Sequence, residues 1–178
     1  MRLLFPGKLL VLAGLGLVGS ASRPAAPRLP VTVYVFLAES CPISQQATLP
    51  LRALYARYAP WGAVCGRISG AEATPASVAA FARTYTVPFT TQSDPGQVLA
   101  QRLGARITPE VVLVAADHHT ILYQGRLDDQ YAALGQRRTV SQHHELADAL
   151  ADLAAGRAVA VPRTQAVGCY IEKAGLGQ

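Results

Sequence analysis

The chain has 178 residues, 51% apolar and 15% charged, with a net charge of +5. That balance suits one folded domain with its own core and excludes a disordered chain. The basic excess is nearly all scattered arginine, with no Lys/Arg cluster among aromatics, so nucleic-acid binding has no footing.

The N-terminus reads as an export signal over residues 1–21. Arg2 and Lys8 form a basic start, an apolar stretch runs to Val18, and Gly19, Ser20 and Ala21 are small residues suited to signal cleavage. The apolar stretch falls short of the ~20 residues of a comfortable membrane span, so membrane attachment is expected only if the signal stays uncleaved. Residues 22–30, rich in Pro, Arg and Ala, form a flexible leader. Export, periplasmic or extracellular, places the rest in an oxidising compartment where disulfides persist.

Residues 31–156 carry the pattern of an α/β domain. Val31–Leu37 is a buried strand. Cys41 and Pro42 open a helix with Leu51, Leu54, Tyr55 and Tyr58 on one face, kinked by Pro50. Ala63–Ile68 is a second strand. Thr74 and Pro75 start a helix that buries Val78, Phe81 and Tyr85. Residues 87–91 are extended. Asp94 and Pro95 start another helix, over Val98, Leu99 and Leu103, with Gly104 at its end. Ile107, Thr108 and Pro109 lead into the valine-rich strand Glu110–Ala115. A turn at Asp117, His118 and His119 joins it to a strand over residues 120–127. A polar loop follows over residues 128–140. Ser141 caps a last helix with Leu146, Leu150 and Leu153 on one face, closed by Gly156. The tail, residues 157–178, has no helical period and carries Cys169. Strands and helices alternate first and a hairpin follows, so the expected architecture is a mixed central sheet with helices on both faces.

Three cysteines, Cys41, Cys65 and Cys169, cannot all pair within one chain. Cys41 follows a strand and begins a helix, where backbone N–H groups and the helix dipole favour the reactive thiolate. Polar Glu39 and Ser40 argue that it is exposed rather than a buried structural cysteine. A mobile tail would let Cys169 bond to Cys41 and release it. Cys65 sits in a central strand and reads as a core thiol, though it is the alternative partner for Cys41.

In order and spacing, these motifs resemble exported thioredoxin-like redoxins, the group that includes alkyl-hydroperoxide-reductase and thiol-specific-antioxidant-like proteins and cytochrome-maturation-type proteins. The residues that carry the resemblance are the strand before Cys41-Pro42-Ile43-Ser44, Thr108-Pro109 before a valine-rich strand, Gly125-Arg126-Leu127-Asp128-Asp129, and Gly168-Cys169-Tyr170-Ile171. The resemblance spans about residues 31–172. It implies a thioredoxin-like fold with an extended C-terminal tail, Cys41 as nucleophile, Pro109 as a cis-proline facing it, and Cys169 as a resolving thiol. It also implies substrate contacts at Pro42, Ser44, Thr108 and Pro109.

Three departures narrow the activity. Ser44 stands where thioredoxins carry a second cysteine, so no local dithiol exists. Ala38 stands where peroxiredoxins carry threonine, which weakens a peroxidase reading. Gln45 breaks the Cys-x-x-x-Cys of exported copper chaperones. The expected function is thiol–disulfide exchange on a protein or small-molecule disulfide, reset by an external thiol reductant, with no cofactor and no metal. A thiol peroxidase acting on peroxide and a non-catalytic binding or metal-holding module are the alternatives. The pairs His118–His119 and His143–His144 read as surface histidines, because adjacent side chains diverge. Arg126, Asp128 and Asp129 read as a solvated turn, with a partner-facing loop as the other reading, and Arg137–Arg138 as an exposed pair.

Overall fold

The computed structural model describes residues 31–59, 62–70 and 72–171. The expected export signal and leader, and the tail beyond Ile171, lie outside the described residues. In chain order the elements are β1 (Val31–Leu37), α1 (Pro42–Tyr58), β2 (Ala63–Ile68), α2 (Pro75–Thr84), β3 (Thr90–Ser93), α3 (Val98–Leu103), β4 (Ile107–Thr108), β5 (Glu110–Ala115), β6 (Ile121–Gly125), β7 (Tyr131–Ala133), β8 (Gln136–Arg137), α4 (Glu145–Ala154) and β9 (Cys169–Tyr170).

The main sheet has the order β3-β2-β1-β5-β6. β1 pairs parallel with β2, and β2 with β3, while β5 runs antiparallel to both β1 and β6. This is the expected mixed sheet. The two crossovers place α1 and α2 on one face, where α4 joins them over Val33, Val35, Leu37, Val111 and Leu113. The other face of the same strands carries Phe36, Val112 and Val114, covered by Ala100 and Leu103 of α3 and by Ala105. β1 and β5 are thus buried on both sides. That is why they read as unbroken apolar runs rather than alternating ones.

Several boundaries differ from the sequence reading, each for a local reason. The third strand is Thr90–Ser93, because its register with β2 begins at Cys65 opposite Thr90. α1 continues through Pro50 as one helix, although proline withdraws one ladder donor there. The Asp94 carboxylate accepts from the N–H groups of Leu99 and Ala100, so it caps α3 from a distance. Val98, expected in the core, is 68% exposed at the start of that helix. The last helix starts at Glu145, and Ser141 does not cap it. Asp129 instead accepts from the backbone of Gln142 and His143 and holds that segment out of the helix. The loop over residues 128–140 contains the β7–β8 hairpin.

The tail differs most. Its lack of helical period suggests mobility, but its described part, through Ile171, is docked along the domain. Gln124 N–H donates to Pro162 O, and Thr164 N–H donates to Gln124 O, both at 3.0 Å. Val159 and Ile171 pack against the two cores. β9 pairs antiparallel with β4, Thr108 opposite Cys169 and Ile107 opposite Tyr170. Absence of a helical pattern does not mean absence of structure, because a chain can satisfy its backbone on a sheet edge supplied by other elements.

Candidate active site

Cys41 is the residue before α1, with extended backbone, and Pro42 occupies the first helical turn. A short turn presents it. Cys41 N–H donates to Ala38 O at 3.2 Å, and the Gln45 side chain donates to Glu39 O at 2.8 Å. The thiol does not face solvent as expected. Cys41 is 1% exposed, and its S–H donates to Thr108 O at 3.2 Å. What covers it is the tail: Cys169 Sγ lies 2.7 Å from Cys41 Sγ, and both cysteines are free thiols. The polar residues before Cys41, Glu39 and Ser40, lie in the local turn but do not decide its exposure.

The two thiols are electrically unlike. Burial opposes ionisation of Cys41. Hydrogen bonds from the Cys169 thiol and from the Ser44 backbone and hydroxyl outweigh it, and the Cys41 pKa is lowered. Ser44 Oγ accepts from Ala38 N–H at 3.2 Å, leaving its own hydrogen for the Cys41 sulfur. Burial, the hydrogen bond to Cys41 and its developing charge push Cys169 up to about 11. When one proton leaves the pair, Cys41 carries the charge and Cys169 keeps its hydrogen.

Tail and domain meet at the Thr108–Pro109 bond, which is cis. The Thr108 hydroxyl donates to Cys169 O at 3.3 Å, and Ile171 N–H donates to Arg106 O at 2.9 Å. Buried Glu110, which no motif in the chain singles out, holds this loop from below. Its Oε2 accepts from Arg106 and Ile107 N–H at 2.8 and 3.1 Å, and its Oε1 from the Gln124 side chain at 2.8 Å. Gly168 permits the contact on the tail side. A Cβ there would collide with the Thr108 carbonyl and come within 3.1 Å of Pro109 Cδ. At Gly125, with φ at +151°, a Cβ would strike Thr164, so a second glycine lets the tail lie flat.

The other expected residues divide clearly. Ser44 and Thr108 are fully buried, so in this arrangement they touch the cysteines rather than an incoming molecule. Pro42 is exposed, and Pro109 lines a small cleft with Ile43, Ala47 and Tyr131. Cys65 is paired in β2 between β1 and β3, away from Cys41. All four histidines are exposed. Among the described residues, no group of three or more His, Cys, Asp or Glu side chains converges on a metal-sized point. The Arg126–Asp129 segment is not a solvated turn. Arg126 Nε donates to Glu145 Oε1 at 2.6 Å, Asp129 is buried beside Arg138 at 3.4 Å, and burial raises the Asp128 pKa.

No protein-family model and no curated protein matches the chain. Solved structures do. An uncharacterized conserved protein of Geobacillus kaustophilus superimposes with a TM-score of 0.71 at 23% identity, covering 83% of this chain and 79% of its own. A hypothetical protein of Sinorhizobium meliloti gives 0.67 at 23%, covering 83% and 81%. A secreted Mycobacterium tuberculosis disulfide oxidoreductase, homologous to E. coli DsbE, gives 0.50 at 20%, covering 71% and 84%. With the sheet order and the cis-proline beside Cys41, these likenesses make the fold thioredoxin-like.

Proposed function

We propose that the chain is an exported thiol–disulfide oxidoreductase in which Cys41 is the nucleophile and Cys169 the resolving thiol. The observation that carries this reading is the 2.7 Å separation of the two sulfurs across 128 residues of sequence. A disulfide needs them at about 2.05 Å, a small closure. The unequal acidities fit the two roles, since thiolate is the attacking form.

The reaction runs in two exchanges. Cys41 thiolate attacks a substrate disulfide R–S–S–R′, forming Cys41–S–S–R and releasing R′S⁻. Cys169 then attacks the Cys41 sulfur, forming Cys41–Cys169 and releasing RS⁻, its proton passing to the departing thiolate or to solvent. The protein loses two electrons, the substrate gains two, and an external thiol resets the pair. Because β9 covers Cys41, the first exchange requires the tail to lift. β9 is held to β4 over only two residues, and lifting it also withdraws Ile171 from the edge of the core beside α3.

Replacing Cys169 with serine tests the assignment. The variant is expected to accumulate mixed disulfides on Cys41, seen by mass spectrometry, where the wild type forms an internal disulfide. Unchanged turnover would sink the resolving role. Peroxide consumption coupled to a dithiol, with no disulfide reduction, would favour the peroxidase alternative.

A further inference from the structure

Beside the cysteine pair lies a cleft of about 360 Å³, walled by the turn before Cys41, the loop after β2, and β9. Glu39, Ser69, Glu72, Thr108, Cys169 and Tyr170 line it, and among the described residues none that lines it is basic. Among the described residues, two of the lining side chains carry a buried polar atom with no hydrogen-bond partner: Glu39 Oε1 and Ser69 Oγ. Ser69 is only 2% exposed. Buried polar groups are normally paired, and an unpaired one is costly. This acidic cleft with two orphaned acceptors contrasts with the basic chain around it.

We infer that the cleft is a subsite for the ammonium end of an amine-bearing thiol that reduces the oxidised Cys41–Cys169 pair. The inference rests on the proposed disulfide chemistry and names the class of its reductant. An ammonium offers three donors and no acceptor, which suits a wall that carries the Glu39 carboxylate and the Ser69 hydroxyl, with Glu72 adding attraction. A thiol at the other end of a short aliphatic chain then meets Cys169. Of the two sulfurs, Cys169 is the accessible one, because Cys41 is buried beneath it. A carboxylate on the same molecule would face Glu39 and Glu72 and be repelled.

The thiolate RS⁻ attacks Cys169, forming Cys169–S–S–R and expelling Cys41 as thiolate. A second RS⁻ attacks the mixed disulfide at the R sulfur, giving RSSR and releasing Cys169, which takes up a proton. Two RSH become RSSR, and the protein disulfide becomes two thiols. Attack at Cys169 makes Cys41 the leaving group, and the more acidic thiol leaves faster.

The test uses the full chain, oxidised first. Failure to form the internal disulfide at this stage would remove the proposed function itself. Opening rates are then measured with cysteamine, 2-mercaptoethanol and 3-mercaptopropionate, each divided by that thiol's rate with a free small-molecule disulfide. The expected order is cationic over neutral over anionic, with cysteamine favoured at least about threefold, the scale of partly exposed charge pairs. High salt should shrink the preference. In Glu39→Gln and Ser69→Ala the ratio of cysteamine to 2-mercaptoethanol should fall toward one; taking the ratio within one variant cancels any change in the cysteines. A blocked Cys-Lys peptide run alongside separates the two sources of such a group. If it outpaces cysteamine, the reductant is a lysine-flanked protein thiol. Equal normalised rates for all probes, or a preference that survives both substitutions, would overturn the subsite while leaving the disulfide chemistry standing.

Discussion

A thiol whose ionisation is favoured and one whose ionisation is opposed share a hydrogen bond at Cys41 and Cys169. A lowered pKa means more thiolate at a given pH, so the ultraviolet thiolate signal of Cys41 should rise at lower pH than that of an ordinary cysteine. Cys169 should titrate separately, near 11. Replacing Cys169 with alanine removes the largest of the favourable hydrogen bonds, and the Cys41 inflection should then move upward. An unmoved inflection would mean that Ser44 and the helix start alone set the acidity. Ser44 illustrates how far a single residue can be read. Its identity showed that no local dithiol exists, but its place beneath Cys41, braced by Ala38 N–H, came from the turn geometry.

Among elements, the pairing of β9 with β4 matters most for chemistry, because a two-residue ladder sets the distance between the sulfurs. Gly168→Ala should force the tail from the Thr108 carbonyl. A displacement of about 1 Å can cost two orders of magnitude in rate, so formation of the internal disulfide after oxidation should slow by at least about tenfold, followed by mass spectrometry against time. Wild-type kinetics in this variant would mean the tail closes without the ladder. Glu110 supports the same ladder from the domain side by holding Arg106 and Ile107. α4 makes the complementary point. Its apolar face was legible from Leu146 and Leu150, but its start was not, because Asp129 captures the preceding backbone from another segment.

For the whole molecule, stability comes from a sheet buried on both faces. Leu113 is fully buried where β5 meets the α1–α2–α4 layer, and Leu113→Ala should cost about 2–5 kcal/mol, read by chemical denaturation. A loss under 1 kcal/mol would contradict the packing described. The main elements, their order and the mixed sheet were legible in the sequence, because apolar runs and helix-start residues record burial and local backbone preference directly. So was the candidacy of Cys41, since a strand, a cysteine and a helix-starting proline are adjacent in the chain. The burial of Cys41, the docking of the tail and the cleft formed by Glu39, Ser69 and Cys169 were not legible. Each depends on residues far apart in sequence meeting on surfaces that exist only after the sheet has formed. The chain by itself determined which thiols were available and what local structure would hold the first of them. Only the tertiary structure decided that the second lies against it, because that depends on a free sheet edge beside Pro109 and on two glycines that let the tail reach it.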